Sequence, residues 1–324
     1  AIAEANKGHA PSYVADAWTQ SLEVRFREIF GPETRAFPVF NGTAANVLSA
    51  AGVIEPHQAV VCAGTSHIHF DECGAIERFA GCRVLALDVA HGKIEPASLA
   101  QVPDGHGMPH QSQPRVLSIT QASELGTVYT PDEVRLLADA AHDRGWLLHM
   151  DGARLANAAA ALNLPLREVT RDAGVDLLSF GGTKCGLLVG EVVLVFAAGL
   201  APHMPYTRKQ GLQLASKMRF LSAQFLALLD DELWRHMAQH ANAMARRLHD
   251  TVRGLPGLQI THPQESNAVF ARLPANALAQ LRQEWRMALW DEAAGEVRWM
   301  ASWDTTPEDV DDFAESIRVA TKDA

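Results

Sequence analysis

Leu148-His149-Met150-Asp151-Gly152-Ala153-Arg154 is the stretch that decides the fold. An apolar run ends on an acid, a glycine follows, and a small apolar segment, Leu155 to Leu162, begins a helix. A buried strand that turns straight into a helix is the repeating unit of an open α/β sheet. Such sheets take their ligands at the carboxyl ends of the strands, where Asp151 stands. An acid there is dry enough to hold a cationic ligand atom strongly. It would serve equally as a cap for the helix that follows, and the residues leave both roles open.

Outward from this stretch, short β-branched or Leu-rich runs alternate with helical patterns. The strands expected are Ala36–Phe40, Ala59–Cys62, Arg83–Leu87, Arg115–Ile119, Trp146–Met150, Asp176–Phe180 and Glu191–Phe196. Thr130-Pro131-Asp132-Glu133 combines an N-cap, a proline at the first helical position and a glutamate that closes a capping box. That helix should run to about Arg144 and end at Gly145. Alternation of this kind gives a mostly parallel sheet covered on both faces. After Leu200 the pattern changes: long helices over Leu212–Leu229 and Leu233–Leu255, short strands over Leu258–Thr261, Ala268–Leu273, Arg286–Trp290 and Val297–Ala301, and a closing helix over Thr306–Val319. We expect a large domain over residues 1–215, then a connecting helix and a small α/β domain over 216–324, with the boundary near 205–230.

The size and composition agree. A chain of 324 residues exceeds what one core usually serves. Apolar residues make up 48% and charged residues 20%, as in ordinary globular proteins, and no apolar run is long enough to cross a bilayer. A net charge of −10 argues against nucleic acid, which needs a basic face. Ala1 to Pro11 has no apolar core behind a basic stretch, so no signal peptide is read and the cytoplasm is the expected location. Cys62, Cys73, Cys82 and Cys185 form no C-x-x-C pair and read as buried free thiols, with no metal site.

A second segment carries chemistry: Asp176-Leu177-Leu178-Ser179-Phe180-Gly181-Gly182-Thr183-Lys184-Cys185-Gly186. An apolar strand runs into a Gly-Gly turn and delivers one lysine. Desolvation lowers an amine's pKa and makes it a nucleophile near neutral pH. An acid one strand away could then keep the ring nitrogen of pyridoxal phosphate (PLP) protonated, which makes the ring a better electron sink. The full phosphate-loop pattern is absent, and no G-x-G-x-x-G follows the first strand, so nucleoside triphosphate and NAD readings fall away. Phe40-Asn41-Gly42-Thr43-Ala44-Ala45-Asn46, between strand and helix, offers amides and a hydroxyl to a phosphate, or is simply an N-cap. In Thr65-Ser66-His67-Ile68-His69-Phe70-Asp71-Glu72, His67 could stack on a flat ring and move a proton. His69 competes for that role, and His67 with Asp71 lacks a third metal ligand.

Taken in order, Phe40–Asn46, Ser66–Gly74, Ser118–Tyr129, His149–Ala158, Ser179–Gly186, Ser216–Leu221 and the closing Val297-Arg298-Trp299-Met300 resemble the low-specificity L-threonine aldolases and the related phenylserine aldolases over nearly the whole chain. The resemblance implies the aspartate-aminotransferase-like fold type I of PLP enzymes, with a large domain on a seven-stranded sheet and a small C-terminal α/β domain. It implies retro-aldol cleavage of an amino-acid substrate to glycine and an aldehyde, in a homodimer or homotetramer whose active sites lie at the subunit interface. Lys184 would bond to the cofactor's aldehyde, Asp151 would pair with its ring nitrogen, His67 would stack on the ring, and Gly42 and Thr43 would bind its phosphate. Arg154 and Arg298 would hold the substrate carboxylate, and Arg219 would reach the phosphate of a neighbouring subunit's cofactor. On residues alone, Arg219 and Arg298 also read as surface ion-pair partners. Three departures matter. The relatives' Ser-Asp-Asn-like opening segment is not found, so the N-terminal segment is expected to be incomplete. A second active-site histidine of some relatives is replaced by Thr120-Gln121-Ala122-Ser123-Glu124. His69-Phe70 adds bulk near His67, leaving an aryl substrate plausible. The same motifs would serve β-elimination, racemisation or transamination, and a non-catalytic binding protein is the reading of a different class.

Overall fold

The computed structural model describes residues 1–103, 105–197 and 199–322. Seven strands form the central sheet: β1 (Arg35–Val39), β2 (Gln58–Ala63), β3 (Arg83–Leu87), β4 (Gln113–Thr120), β5 (Leu147–Gly152), β6 (Leu177–Gly181) and β7 (Glu191–Val195). Their order is β1-β7-β6-β5-β4-β2-β3. β2 through β6 pair in parallel, while β7 runs antiparallel to both β1 and β6. Every residue of β5, β6 and β7 is buried. That explains their continuous apolar runs: a strand covered on both faces has no polar side to alternate with.

Helices close over this sheet. The helix Pro131–His142 has the expected capping box, Thr130 accepting from the Glu133 amide while the Glu133 side chain accepts from that of Thr130. Phe26, Phe30, Phe180 and Phe225, all buried, meet with ring centroids 5.6 to 6.4 Å apart and bind the helices Ala17–Phe30 and Arg219–Leu229 to the sheet.

A second sheet of four antiparallel strands, β8 (Gln259–Ile260), β9 (Ala268–Arg272), β10 (Ala288–Asp291) and β11 (Glu296–Met300), is ordered β10-β11-β9-β8. It has its own apolar cluster, in which Val269, Ala271, Val297 and Trp299 pack against Leu248, Leu281 and Ile317 from three helices. Along the seam between the sheets, Leu125 packs with Ala268 and Phe270. There Ser266 Oγ donates to the Gly126 carbonyl at 2.9 Å, and the Val128 amide donates to Glu265 Oε2 at 2.7 Å.

Two expectations need correction. The helix read over Leu212–Leu229 begins only at Arg219. Gly211 ends the preceding helix Met204–Gln210, Leu212 takes φ 63°, and the Ser216 carbonyl accepts from the Tyr13 amide at 2.6 Å, so this backbone is committed to the N-terminal segment. Of the cysteines, Cys62, Cys82 and Cys185 are buried and free, whereas Cys73 is exposed. Among the described residues, no helix is long and apolar enough to cross a membrane.

Candidate active site

The site is assembled at the carboxyl ends of β4, β5 and β6, where Thr120, Asp151 and Ser179 stand in one cross-strand row. Asp151 is 4% exposed. Its Oδ1 accepts from the Ala153 amide at 2.9 Å and its Oδ2 from Asn46 Nδ2 at 2.8 Å. The helix Leu155–Leu162 has Arg154 at its N-cap and no side-chain cap, so the alternative role of Asp151 as helix cap falls away. Beneath, His149 is held between Ser118 Oγ at 2.9 Å and Ser179 Oγ at 3.0 Å, and burial pushes its pKa down, leaving a neutral ring.

Lys184 follows β6 in the single turn Thr183–Cys185. The two glycines before it are required by close approach. A Cβ on Gly181 would meet the Ala153 carbonyl oxygen at 2.6 Å, and one on Gly182 would meet the Gly190 carbonyl oxygen at 2.6 Å. Without side chains there, the lysine turn can lie against the loop that carries Asp151 and Arg154. Burial pulls the Lys184 amine below its ordinary pKa; Arg154 and Arg298 lower it further, while Asp151 and Glu191 oppose them. Burial pulls the Arg154 guanidinium below its ordinary pKa, and the charge of Arg298 lowers it further.

His67 opens the short helix His67–Phe70 after β2. Its Nδ1 lies 2.9 Å from Glu72 Oε1, and its backbone amide donates to Glu124 Oε1 at 2.9 Å. The hydrogen bond to Glu72 raises its pKa against the opposing effect of burial, and Asp151 and Lys184 both act on it. His69 and Phe70 are exposed, so the bulk expected beside His67 points outward in this chain. Gly42 and Thr43 form the first turn of the helix Gly42–Ala51, where Asn41 Oδ1 caps the Ala44 amide at 2.8 Å. Arg298 is half-buried on β11, its guanidinium 4.8 Å from the Trp290 ring centre. Arg219 stands elsewhere: it is 9% exposed and its Nε donates to the Ala5 carbonyl at 2.8 Å. Among the described residues, neither Arg219 nor Arg298 enters an ion pair, against the surface ion-pair alternative.

Four residues of the site, Asn46, Glu72, Glu124 and Glu191, receive no role from the sequence alone. Asn46 bridges Asp151 and Glu72. Glu124 accepts from Thr120 Oγ1 at 2.8 Å as well as from the His67 amide, and burial raises its pKa. Glu191 opens β7 opposite Gly181, and its Oε2 accepts from the Gly182 amide at 2.7 Å. The available signal was polarity out of place, such as Asn46 in a run of small apolar residues or Glu191 at the head of Val-Val-Leu-Val. Buried polar groups of that kind need partners.

A family described as β-eliminating lyase matches residues 1–276. A low-specificity L-threonine aldolase of Pseudomonas aeruginosa is 43% identical over 98% of this chain and 92% of its own length. The chain belongs to the β-eliminating lyase family, among its threonine aldolases. In solved structures, a threonine aldolase of Leishmania major superposes with TM-score 0.92 at 26% identity, covering 98% of this chain and 94% of the other. An aspartate aminotransferase of Thermus thermophilus superposes with TM-score 0.69 at 16% identity, over 98% of this chain and 85% of the other, which shows the shared fold. Members of this family are PLP-dependent lyases, and the residues present fit that cofactor. The Lys184 amine has a lowered pKa and feels the charge of the buried Asp151 carboxylate, and Arg298 Nε and Glu124 Oε2 are buried without a hydrogen-bond partner among the described residues.

Proposed function

We propose that the chain is a PLP-dependent carbon–carbon lyase that splits L-threonine, L-allo-threonine or an aryl relative such as phenylserine into glycine and an aldehyde. The observation that carries this reading is a lysine of lowered pKa in the turn after β6 and a buried carboxylate at the end of the adjacent strand β5, in a chain 43% identical to a threonine aldolase. Bound PLP supplies an electron sink for a developing negative charge at Cα. In this reading Lys184 holds the cofactor's aldehyde carbon, Asp151 faces its ring nitrogen, His67 covers the ring, and Gly42 and Thr43 take the phosphate. Arg154 and Arg298 grip the substrate carboxylate, for which planar, permanently charged forks are suited. That grip orients the Cα–Cβ bond for cleavage. With His67 Nδ1 turned to Glu72, Nε2 is the nitrogen free to take the β-hydroxyl proton. As that proton leaves, the Cα–Cβ bond breaks, the aldehyde departs, and Cα takes a proton to give glycine.

Lys184→Ala should lose both the visible absorbance of the bound cofactor and turnover; a variant that keeps either would overturn the assignment. The family description favours β-elimination as the second reading. Release of pyruvate and ammonia in place of glycine and aldehyde would establish it. We further propose residues 1–215 and 216–324 as the two domains, a cytoplasmic location, and a homodimer or homotetramer in which Arg219 serves a neighbouring subunit's cofactor. The direction of Arg219 toward Ala5 supports a role outside its own site. Mixing the Lys184→Ala and Arg219→Ala chains should restore activity if sites are shared, and should leave the mixture inactive if they are not.

A further inference from the structure

The aldol reading leaves unused a chain of polar groups behind the site. Asn46 lies on the helix Gly42–Ala51 and is 2% exposed. Its Nδ2 donates to Glu72 Oε1 at 2.9 Å and to Asp151 Oδ2 at 2.8 Å, and its Oδ1 is buried without a partner among the described residues. The same Glu72 oxygen accepts from His67 Nδ1 at 2.9 Å, and its other oxygen is buried without a partner. The Glu72 side chain is fully buried, and its one ion-pair partner among the described residues is His67. Two carboxylates therefore share one amide group in a dry place. Asn46 Nδ2 is the donor that both share, and each is held in place through it.

Resting on the proposed PLP-dependent reaction, we infer that Asn46 and Glu72 are positioning residues: the chain His67–Glu72–Asn46–Asp151 turns His67 Nε2 toward the substrate and fixes the Asp151 carboxylate, so the group over the ring and the group at its nitrogen are set together. Glu72 orients the imidazole as the carboxylate partner of a catalytic histidine does. Asn46 transmits that orientation to the strand that carries Asp151. Without the amide, Glu72 and Asp151 lose the donor they share, and the imidazole that Glu72 orients is no longer tied to the strand that carries Asp151. The other charged groups facing His67 are Asp151 and Lys184, with Glu124 held on its backbone amide. None of them stands between Glu72 and Asp151.

The test uses Asn46→Leu, which removes the donor at similar volume, and Glu72→Gln, which keeps the shape and removes the charge. The His67 ring is titrated by NMR in cofactor-free protein, and bound-cofactor absorbance is followed against pH in the loaded enzyme. Glu72→Gln should lower the His67 midpoint by about one pH unit or more, and Asn46→Leu should shift it by freeing the Glu72 side chain. Both should move the absorbance profile, although Asp151 and Lys184 are intact. Turnover should fall about ten- to a hundredfold, as for groups acting through a first-contact residue, with KM for the amino acid nearly unchanged because Arg154 and Arg298 are untouched. Folded variants with wild-type His67 titration and absorbance profile would overturn the inference. Should Asn46→Leu not fold, Glu72→Gln decides alone on the same two readouts. The NMR titration does not depend on the reaction, so a wild type that cleaves no hydroxyamino acid sinks the aldolase reading and leaves the coupling standing.

Discussion

Glu191 offers the sharpest test of the electrostatics around Lys184. It is 7% exposed, and burial raises its pKa from 4.5 to about 7 despite the Gly182 amide and Thr183 hydroxyl that favour its charged form. In the unfolded chain it titrates near its ordinary value, so between pH 4.5 and 7 the folded protein holds a proton that the unfolded chain has released. The stabilisation is fully present below 4.5 and is lost as pH rises through 7. At about 1.4 kcal/mol per pH unit, that interval corresponds to on the order of 3 kcal/mol. Glu191→Gln keeps the shape and cannot titrate. The assay is urea unfolding of both proteins at a series of pH values, always with the same cofactor concentration, so that linkage to cofactor cancels in the difference. Wild-type stability relative to the variant should fall by about 3 kcal/mol from the acidic to the neutral end. A pH-independent difference would refute the claim that this carboxyl is held protonated by its surroundings.

Arg298→Lys should raise KM for the amino acid about tenfold or more by losing a planar fork, with the absorbance of bound cofactor unchanged; an unaltered KM removes Arg298 from substrate binding. A Cβ on Gly182 would press on the Gly190 carbonyl and the Phe225 ring, both at 2.6 Å. Gly182→Ala should therefore cost about 1–3 kcal/mol in denaturant unfolding and weaken cofactor retention, and wild-type values for both would contradict the close approach. Phe26→Ala empties the centre of the aromatic cluster and should cost about 3–5 kcal/mol in the same assay; a loss below about 1 kcal/mol would mean that this cluster does not tie helix to sheet.

The central sheet was legible because strands such as β5, β6 and β7 are buried on both faces. Runs such as Val192-Val-Leu-Val admit little else once glycines punctuate them, and β3 falls on the expected residues. The helix at 212–229 was misread because its apolar periodicity continues through residues whose backbone is drawn off by Tyr13, a contact 203 positions away in the chain (216 − 13). The lysine, the acid at β5 and Arg154 announced themselves by following buried strands. Asn46 and Glu124 did not, since each gains its meaning from a partner far along the chain: Asn46 meets Asp151 across 105 residues and Glu124 meets the His67 amide across 57.

The two sheets have separate cores, and Arg154 and Arg298, each within the other's electrostatic reach, are divided between them. Arg154 follows β5, whereas Arg298 rides on β11. The gap between these two cations is therefore set by how the sheets seat on each other, through Ser266, Glu265 and the Phe270 cluster. A change along that seam alters which amino acids can be clasped while leaving every group around Lys184 in place, so selectivity in this scaffold can drift through residues that no substrate ever touches.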